Sequence, residues 1–216
     1  MANGLVYVST ALGQAAALDA GTGEPVWTYD PRIYDDMERP PNMGWHHRGL
    51  SYWKDDESDD ARIFMANHDL KLVALSARTG ALYPDFGKNG YVDLTQGYGR
   101  AIDASRMTYS SPVTIVGDTV IVGSIIQDTN IRLREANPGH VRAYDARTGE
   151  MKWVFRTIPQ GDDFGVDSRG NESWRYSGHS NVWSYMAVDE ELGHVYFATG
   201  TPSNDWYGGM RPGDNL

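Results

Sequence analysis

The chain has 216 residues, 40% of them hydrophobic and 12% aromatic, a composition that supports a packed core and excludes a disordered segment. Its 19 basic and 29 acidic residues leave a net charge of -10, which argues against nucleic acid or an anionic membrane surface as partner. There is no cysteine, so disulfides and thiolate metal sites are excluded, and no apolar run reaches the roughly 18 residues of a membrane span.

The start, Met1-Ala2-Asn3-Gly4, lacks the basic and apolar character of a secretory signal, so any targeting segment is expected outside this chain. The first β-rich run is Leu5 to Ser9, and it leads to Leu18-Asp19-Ala20-Gly21-Thr22-Gly23-Glu24-Pro25-Val26-Trp27. After a second run, Ile63 to Ala66, the motif returns in weaker form as Leu75-Ser76-Ala77-Arg78-Thr79-Gly80, without the tryptophan and with Tyr83-Pro84 nearby. After a third run, Thr119 to Val122, it returns as Tyr144-Asp145-Ala146-Arg147-Thr148-Gly149-Glu150-Met151-Lys152-Trp153. Val195 to Thr199 opens a further unit that is not completed.

Each copy reads as a hairpin: an apolar strand, a turn in which Thr-Gly supplies a side-chain hydrogen bond and a permissive backbone, then a strand whose tryptophan can pack between sheets. The copies lie further apart than the roughly 40 to 50 residues of a minimal propeller blade. The units therefore carry insertions, at 29–53, 85–109, 127–139 and 157–183, where function is to be sought. No segment has a sustained helical period, so the fold class is all-β, a β-propeller whose strands group in four-stranded sheets, with little helix. Three units and part of a fourth cannot close a ring, so residues 1–216 read as one partial propeller domain, a fragment of a longer protein.

Four further stretches carry a resemblance: His47-Arg48-Gly49-Leu50-Ser51-Tyr52-Trp53, Phe86-Gly87-Lys88-Asn89-Gly90, Pro138-Gly139-His140-Val141-Arg142-Ala143-Tyr144-Asp145, and Gly200-Thr201-Pro202-Ser203-Asn204-Asp205-Trp206-Tyr207-Gly208-Gly209. Together with the repeat they resemble the pyrroloquinoline quinone (PQQ)-dependent alcohol and glucose dehydrogenases, most closely the membrane-bound glucose dehydrogenase branch. The resemblance implies an eight-bladed parent, of which this chain holds about three to four blades. It also implies PQQ and Ca2+ as cofactors.

A planar, tricarboxylated quinone needs cations, a flat aromatic surface, hydroxyls at its rim and a hard divalent ion. Arg48 matches the family arginine that bonds the quinone, its planar fork suiting carboxylate and carbonyl oxygens; the ordinary alternative is a surface ion pair. Trp183 falls at the family's separation from the metal loop and matches the ring-stacking tryptophan, the alternative being a blade-packing role. Ser110 and Asn181 match positions at the quinone rim. Asp128 matches the acidic calcium ligand, with Asn130 a competitor, and Thr201 stands where the glucose branch has threonine and the methanol branch asparagine. Arg48, Ser110, Asp128, Trp183 and Thr201 are expected to converge on one end of the propeller axis.

His46 and His47 stand beside Arg48, at a spacing different from that of the histidine found upstream of the arginine in the glucose branch. The cysteine pair of the methanol enzymes is absent. The family's catalytic base, an aspartate in a Trp-Asp motif, has no match; Asp205-Trp206 reverses the order and belongs to the metal loop. No catalytic residue is assigned, and the base is expected beyond Leu216. The six histidines have no zinc spacing, and neither a phosphate loop nor a nucleophile elbow occurs.

By resemblance the intact protein oxidises a sugar, polyol or alcohol hydroxyl and passes electrons to ubiquinone or a cytochrome. It does so in the periplasm, anchored to the inner membrane, if at all, through a segment outside this chain, and residues 1–216 alone are expected to be inactive. The rival is a cofactor-free propeller of PQQ-like repeats that serves as a binding or assembly scaffold. What separates the two is the set Arg48, Ser110, Asp128, Trp183 and Thr201, together with long insertions that a plain scaffold does not need.

Overall fold

A computed structural model describes residues 1–38, 40–41, 44–127 and 134–215. Strands β1 (Leu5–Ser9), β2 (Ala15–Asp19) and β3 (Pro25–Tyr29) form a three-stranded sheet in that order. Strands β4 (Ser51–Lys54), β5 (Ala61–Ala66), β6 (Lys71–Ser76) and β7 (Tyr91–Asp93) form the second sheet, again in sequence order. Between it and the third sheet lies a two-stranded ribbon of β8 (Met107–Thr108) and β11 (Ile125–Ile126). The third sheet combines β9 (Thr114–Val116), β10 (Thr119–Val122), β12 (Val141–Asp145) and β13 (Met151–Phe155), and a final pair joins β14 (Ala187–Asp189) to β15 (His194–Tyr196). All these strand pairs are antiparallel. Helix is confined, among the described residues, to four short 3-10 segments, and none is long and apolar enough to cross a membrane.

The repeated hairpin has one construction in its two full copies. The Asp19 carboxylate accepts from the backbone of Gly21 and Thr22 at 2.9 and 2.8 Å, and Gly23, at φ +77, closes the turn. Asp145 does the same for Arg147 and Thr148, both at 2.9 Å, with Gly149 at φ +75. The threonine hydroxyls contribute too, accepting from the backbone of Glu24 and Glu150. An aspartate at the head of the turn thus competes successfully for backbone donors that no strand can satisfy. In the middle copy Ser76 takes this place with a longer contact of 3.3 Å to the Thr79 amide. A bulge follows Ala17 in one copy and Ala143 in the other, so Trp27 lies opposite Ala17 and Trp153 opposite Ala143.

In the first copy this position sets how one sheet meets the next. Trp27 packs with Ile63, Val73 and Leu75 of the second sheet and donates its indole N–H to the Ala77 carbonyl at 3.0 Å. Gly80 lies beneath the ring, where a Cβ would come within 2.6 Å of the indole. A second apolar cluster joins Phe64, Leu72 and Phe86 to Val120, Val122 and Tyr144 of the third sheet, and a third joins Ile121, Val141 and Ala143 to Val182 with Val195 and Phe197. Each sheet is therefore packed face to face on its neighbour in succession, the arrangement of propeller blades.

Two details depart from the sequence reading. The first sheet has three strands among the described residues where four are expected, while the last unit is a single pair, in keeping with a unit that is not completed. The outer strand of the middle unit is β7, inside what reads as an insertion. Tyr91 on β7 meets Tyr29 hydroxyl to hydroxyl at 3.1 Å, while Tyr83 lies under the Arg62 guanidinium, 4.0 Å from its ring centre.

Candidate cofactor site

Three residues separated widely in sequence meet at Arg48. Its backbone N–H donates to the Ser110 carbonyl at 2.7 Å, and its guanidinium donates to the hydroxyls of Ser110 at 2.8 Å and Ser111 at 3.2 Å. The same group reaches the Trp183 carbonyl at 3.4 Å and lies 5.7 Å from the centre of the Trp183 ring. Ser111 also donates to the Trp183 carbonyl at 2.6 Å, and Tyr185 donates to the Arg48 carbonyl at 3.1 Å. Ser111 and Tyr185 escape the sequence reading: Ser111 is adjacent to a predicted residue, whereas nothing in spacing or motif singles out Tyr185.

The chain is held in this shape by close backbone approaches. Gly123 lies where a Cβ would come within 2.1 Å of the Val182 carbonyl oxygen, and Gly139 within 2.2 Å of the His179 carbonyl oxygen. Only glycine lets the 179–183 segment run against both loops. The Ser124 amide then donates to the Val182 carbonyl at 2.8 Å, and Asn181 donates its side-chain amide to the Ser124 carbonyl at 2.8 Å. Asn181 is buried, so the position predicted for the quinone rim is engaged in holding this segment to its neighbour.

Thr201 sits on the other side of that segment. Its carbonyl accepts from the Ser180 amide at 3.0 Å and its hydroxyl donates to the Asp205 carboxylate. No hydrogen bond or ring contact joins it to Arg48, Ser110 or Trp183 among the described residues. Asp128, and Asn130 with it, lie outside the described residues. Among the described residues no three His, Cys, Asp or Glu side chains gather as a metal site.

What the cluster can do follows from exposure. Trp183 keeps 51% of its surface in solvent and Arg48 is exposed, while Ser110 is buried. A guanidinium with no carboxylate partner among the described residues, beside an open indole face and a hydroxyl, suits a planar anion with carbonyl oxygens. The recess lined by Ser110, Ser124, Val182, Trp183 and Met186 encloses only about 10 Å³, space for about one water, so it is too small to hold a planar cofactor by itself.

His46 and His47 do not face this cluster. His47 Nδ1 lies 3.0 Å from the Ser9 hydroxyl, and the His46 ring is 5.9 Å from that of His68, which is itself 2.8 Å from the Thr108 hydroxyl. Burial, and then the neighbouring His68, depress His47 to about 4. Burial, and then Arg142 and Arg100, depress His140 to about 4 as well. Both are neutral in the fold and titrate near 6.5 once unfolded, so the unfolded chain takes up protons first. Stability is expected to be complete above about pH 6.5 and to fall, by on the order of 1–3 kcal/mol per histidine, as pH drops towards 4. Urea midpoints across this range test it: His47→Asn with His140→Asn flattens the fall, and an equally steep fall in that double variant removes these histidines as its cause.

A family model for the PQQ-dependent glucose/ethanol/alcohol dehydrogenase β-propeller domain matches residues 1–216. The chain belongs to this family. The chain is 29% identical to the quinate/shikimate dehydrogenase (quinone) of Acinetobacter baylyi, over 95% of this chain and 27% of the relative. It is also 29% identical to quinoprotein glucose dehydrogenase A of Acinetobacter calcoaceticus, with the same shares covered. Its fold superposes on quinohemoprotein alcohol dehydrogenase from Comamonas testosteroni with a TM-score of 0.77 at 27% identity, covering 99% of this chain and 30% of that one. The chain thus spans less than a third of the length of these relatives.

Proposed function

We propose that residues 1–216 supply one wall of the PQQ site of a dehydrogenase that oxidises a sugar, polyol or alcohol hydroxyl. The observation that carries this is the meeting of Arg48, Ser110 and Trp183 from three separate loop segments, with the Arg48 guanidinium and the Trp183 ring open to solvent. Bound there, PQQ supplies an o-quinone able to accept two electrons from a hydroxyl-bearing carbon. The chain's own residues hold it: the Arg48 guanidinium offers charge-assisted donors to anionic oxygens, the Ser110 hydroxyl adds a rim contact, and the Trp183 ring offers a flat apolar face.

Calcium at Asp128 and Thr201 is part of this reading by resemblance. The described residues do not by themselves assemble a metal site, and no step is drawn through one. Electron delivery to ubiquinone or a cytochrome in the periplasm, and glucose or another polyol as substrate, complete the proposal; the names of the relatives support a quinone-linked dehydrogenase of this kind. A dye-linked assay of the full-length protein, with glucose, polyols and simple alcohols, tests it. Dye reduction that requires added PQQ is expected with at least one of these substrates, and PQQ-independent or absent turnover with all of them overturns it.

A further inference from the structure

We propose that Arg142, buried behind the cofactor wall, is a positioning residue that sets Ser110 and through it Arg48; the inference rests on reading that wall as the quinone site. Arg142 lies on β12 and is fully buried. Its guanidinium donates to the carbonyls of Leu94 at 2.8 Å and Gln96 at 2.7 Å, to the Tyr98 hydroxyl at 2.8 Å and to the Tyr109 hydroxyl. It also lies 4.3 Å from the centre of the Tyr98 ring. Tyr109 in turn donates to the Leu94 carbonyl at 3.3 Å and meets the Tyr98 hydroxyl at 3.0 Å. No carboxylate hydrogen-bonds to Arg142 among the described residues.

A buried cation without a carboxylate is a costly way to fill a core, and an apolar residue of similar volume is the cheaper solution. What the guanidinium does that an apolar residue cannot is to join two stretches of the 85–109 insertion, 94–98 and Tyr109, through donors in a fixed planar fork. Tyr109 immediately precedes Ser110. The Tyr109 hydroxyl is held by Arg142 behind the wall and the Ser110 hydroxyl bonds Arg48 in it, so two adjacent residues tie the buried guanidinium to the cofactor wall. The ladder that otherwise steadies this stretch, β8 with β11, is only two residues long. The Tyr109 anchor therefore decides where the Ser110 carbonyl and hydroxyl stand, and both bond Arg48.

The Arg48 amide, which donates to the Ser110 carbonyl, reports this coupling without any cofactor. In the ligand-free chain, Tyr109→Phe and Arg142→Met are each expected to speed hydrogen exchange at the Arg48 amide by about tenfold or more, while amides of the β5–β6 ladder keep their protection. Unchanged exchange at Arg48 overturns the proposal, and so does uniform acceleration across the chain, which marks a general loss of stability. If Arg142→Met fails to fold, Tyr109→Phe decides alone. PQQ binding, followed by Trp183 fluorescence, is expected to weaken about tenfold in the same variants. Absence of binding by the unmutated full-length protein refutes the quinone reading, and the exchange result then still decides whether Arg142 positions the wall.

Discussion

Trp27→Ala is expected to lower the unfolding free energy by about 3–5 kcal/mol, and Trp153→Ala by less than about 1 kcal/mol, although the two residues occupy the same place in the repeat. The difference comes from what each meets. Trp27 is 8% exposed, seated on Gly80 and bonded to the Ala77 carbonyl, so truncation leaves a cavity between two sheets and a carbonyl without its donor. Trp153 is 41% exposed. Truncating it removes surface that water already touches. Urea unfolding of the two variants, followed by circular dichroism, gives the comparison; equal losses show that the first and second sheets are not packed through Trp27 as described.

Arg48→Ala is expected to weaken PQQ binding about 100-fold, close to 3 kcal/mol, with little change in stability. The guanidinium is exposed and its protein partners are hydroxyls and a carbonyl that water can satisfy, so the fold loses little. The cofactor loses charge-assisted donors whose strength is about twice that of neutral ones. Arg48→Lys keeps the charge but not the planar fork, and a loss of about tenfold is expected. Equilibrium dialysis of the full-length variants with PQQ measures both; affinity unchanged in Arg48→Ala removes this residue from the site.

Much of the architecture was legible in the chain itself. The Asp-Ala-x-Thr-Gly motif located two turns because their hydrogen bonds are local, made by Asp19 and Asp145 to amides two and three residues on. Strands β1 and β10 coincide with the first and third β-rich runs for the same reason: a short apolar run between turns has few other ways to hide its side chains. The middle unit was harder, since its outer strand carries no tryptophan and follows a second turn, at Phe86 to Gly90, that only pairing with β6 identifies.

The candidate site divides along the same line. Motif and spacing named Arg48, Ser110 and Trp183, and three-dimensional packing brought these three into contact. They could not foresee that Asn181 is spent on the Ser124 carbonyl, that Ser111 and Tyr185 complete the surroundings of Arg48, or that Arg142 stands behind Tyr109. What the sequence alone determined was the repeat, the strand class and the kind of residue offered to a planar anion, because periodicity, turn chemistry and functional-group type are properties of short stretches. Which side chains face the site and which are consumed in holding it was decided by the tertiary structure. That choice depends on contacts between insertions from different sheets, and no local pattern records them.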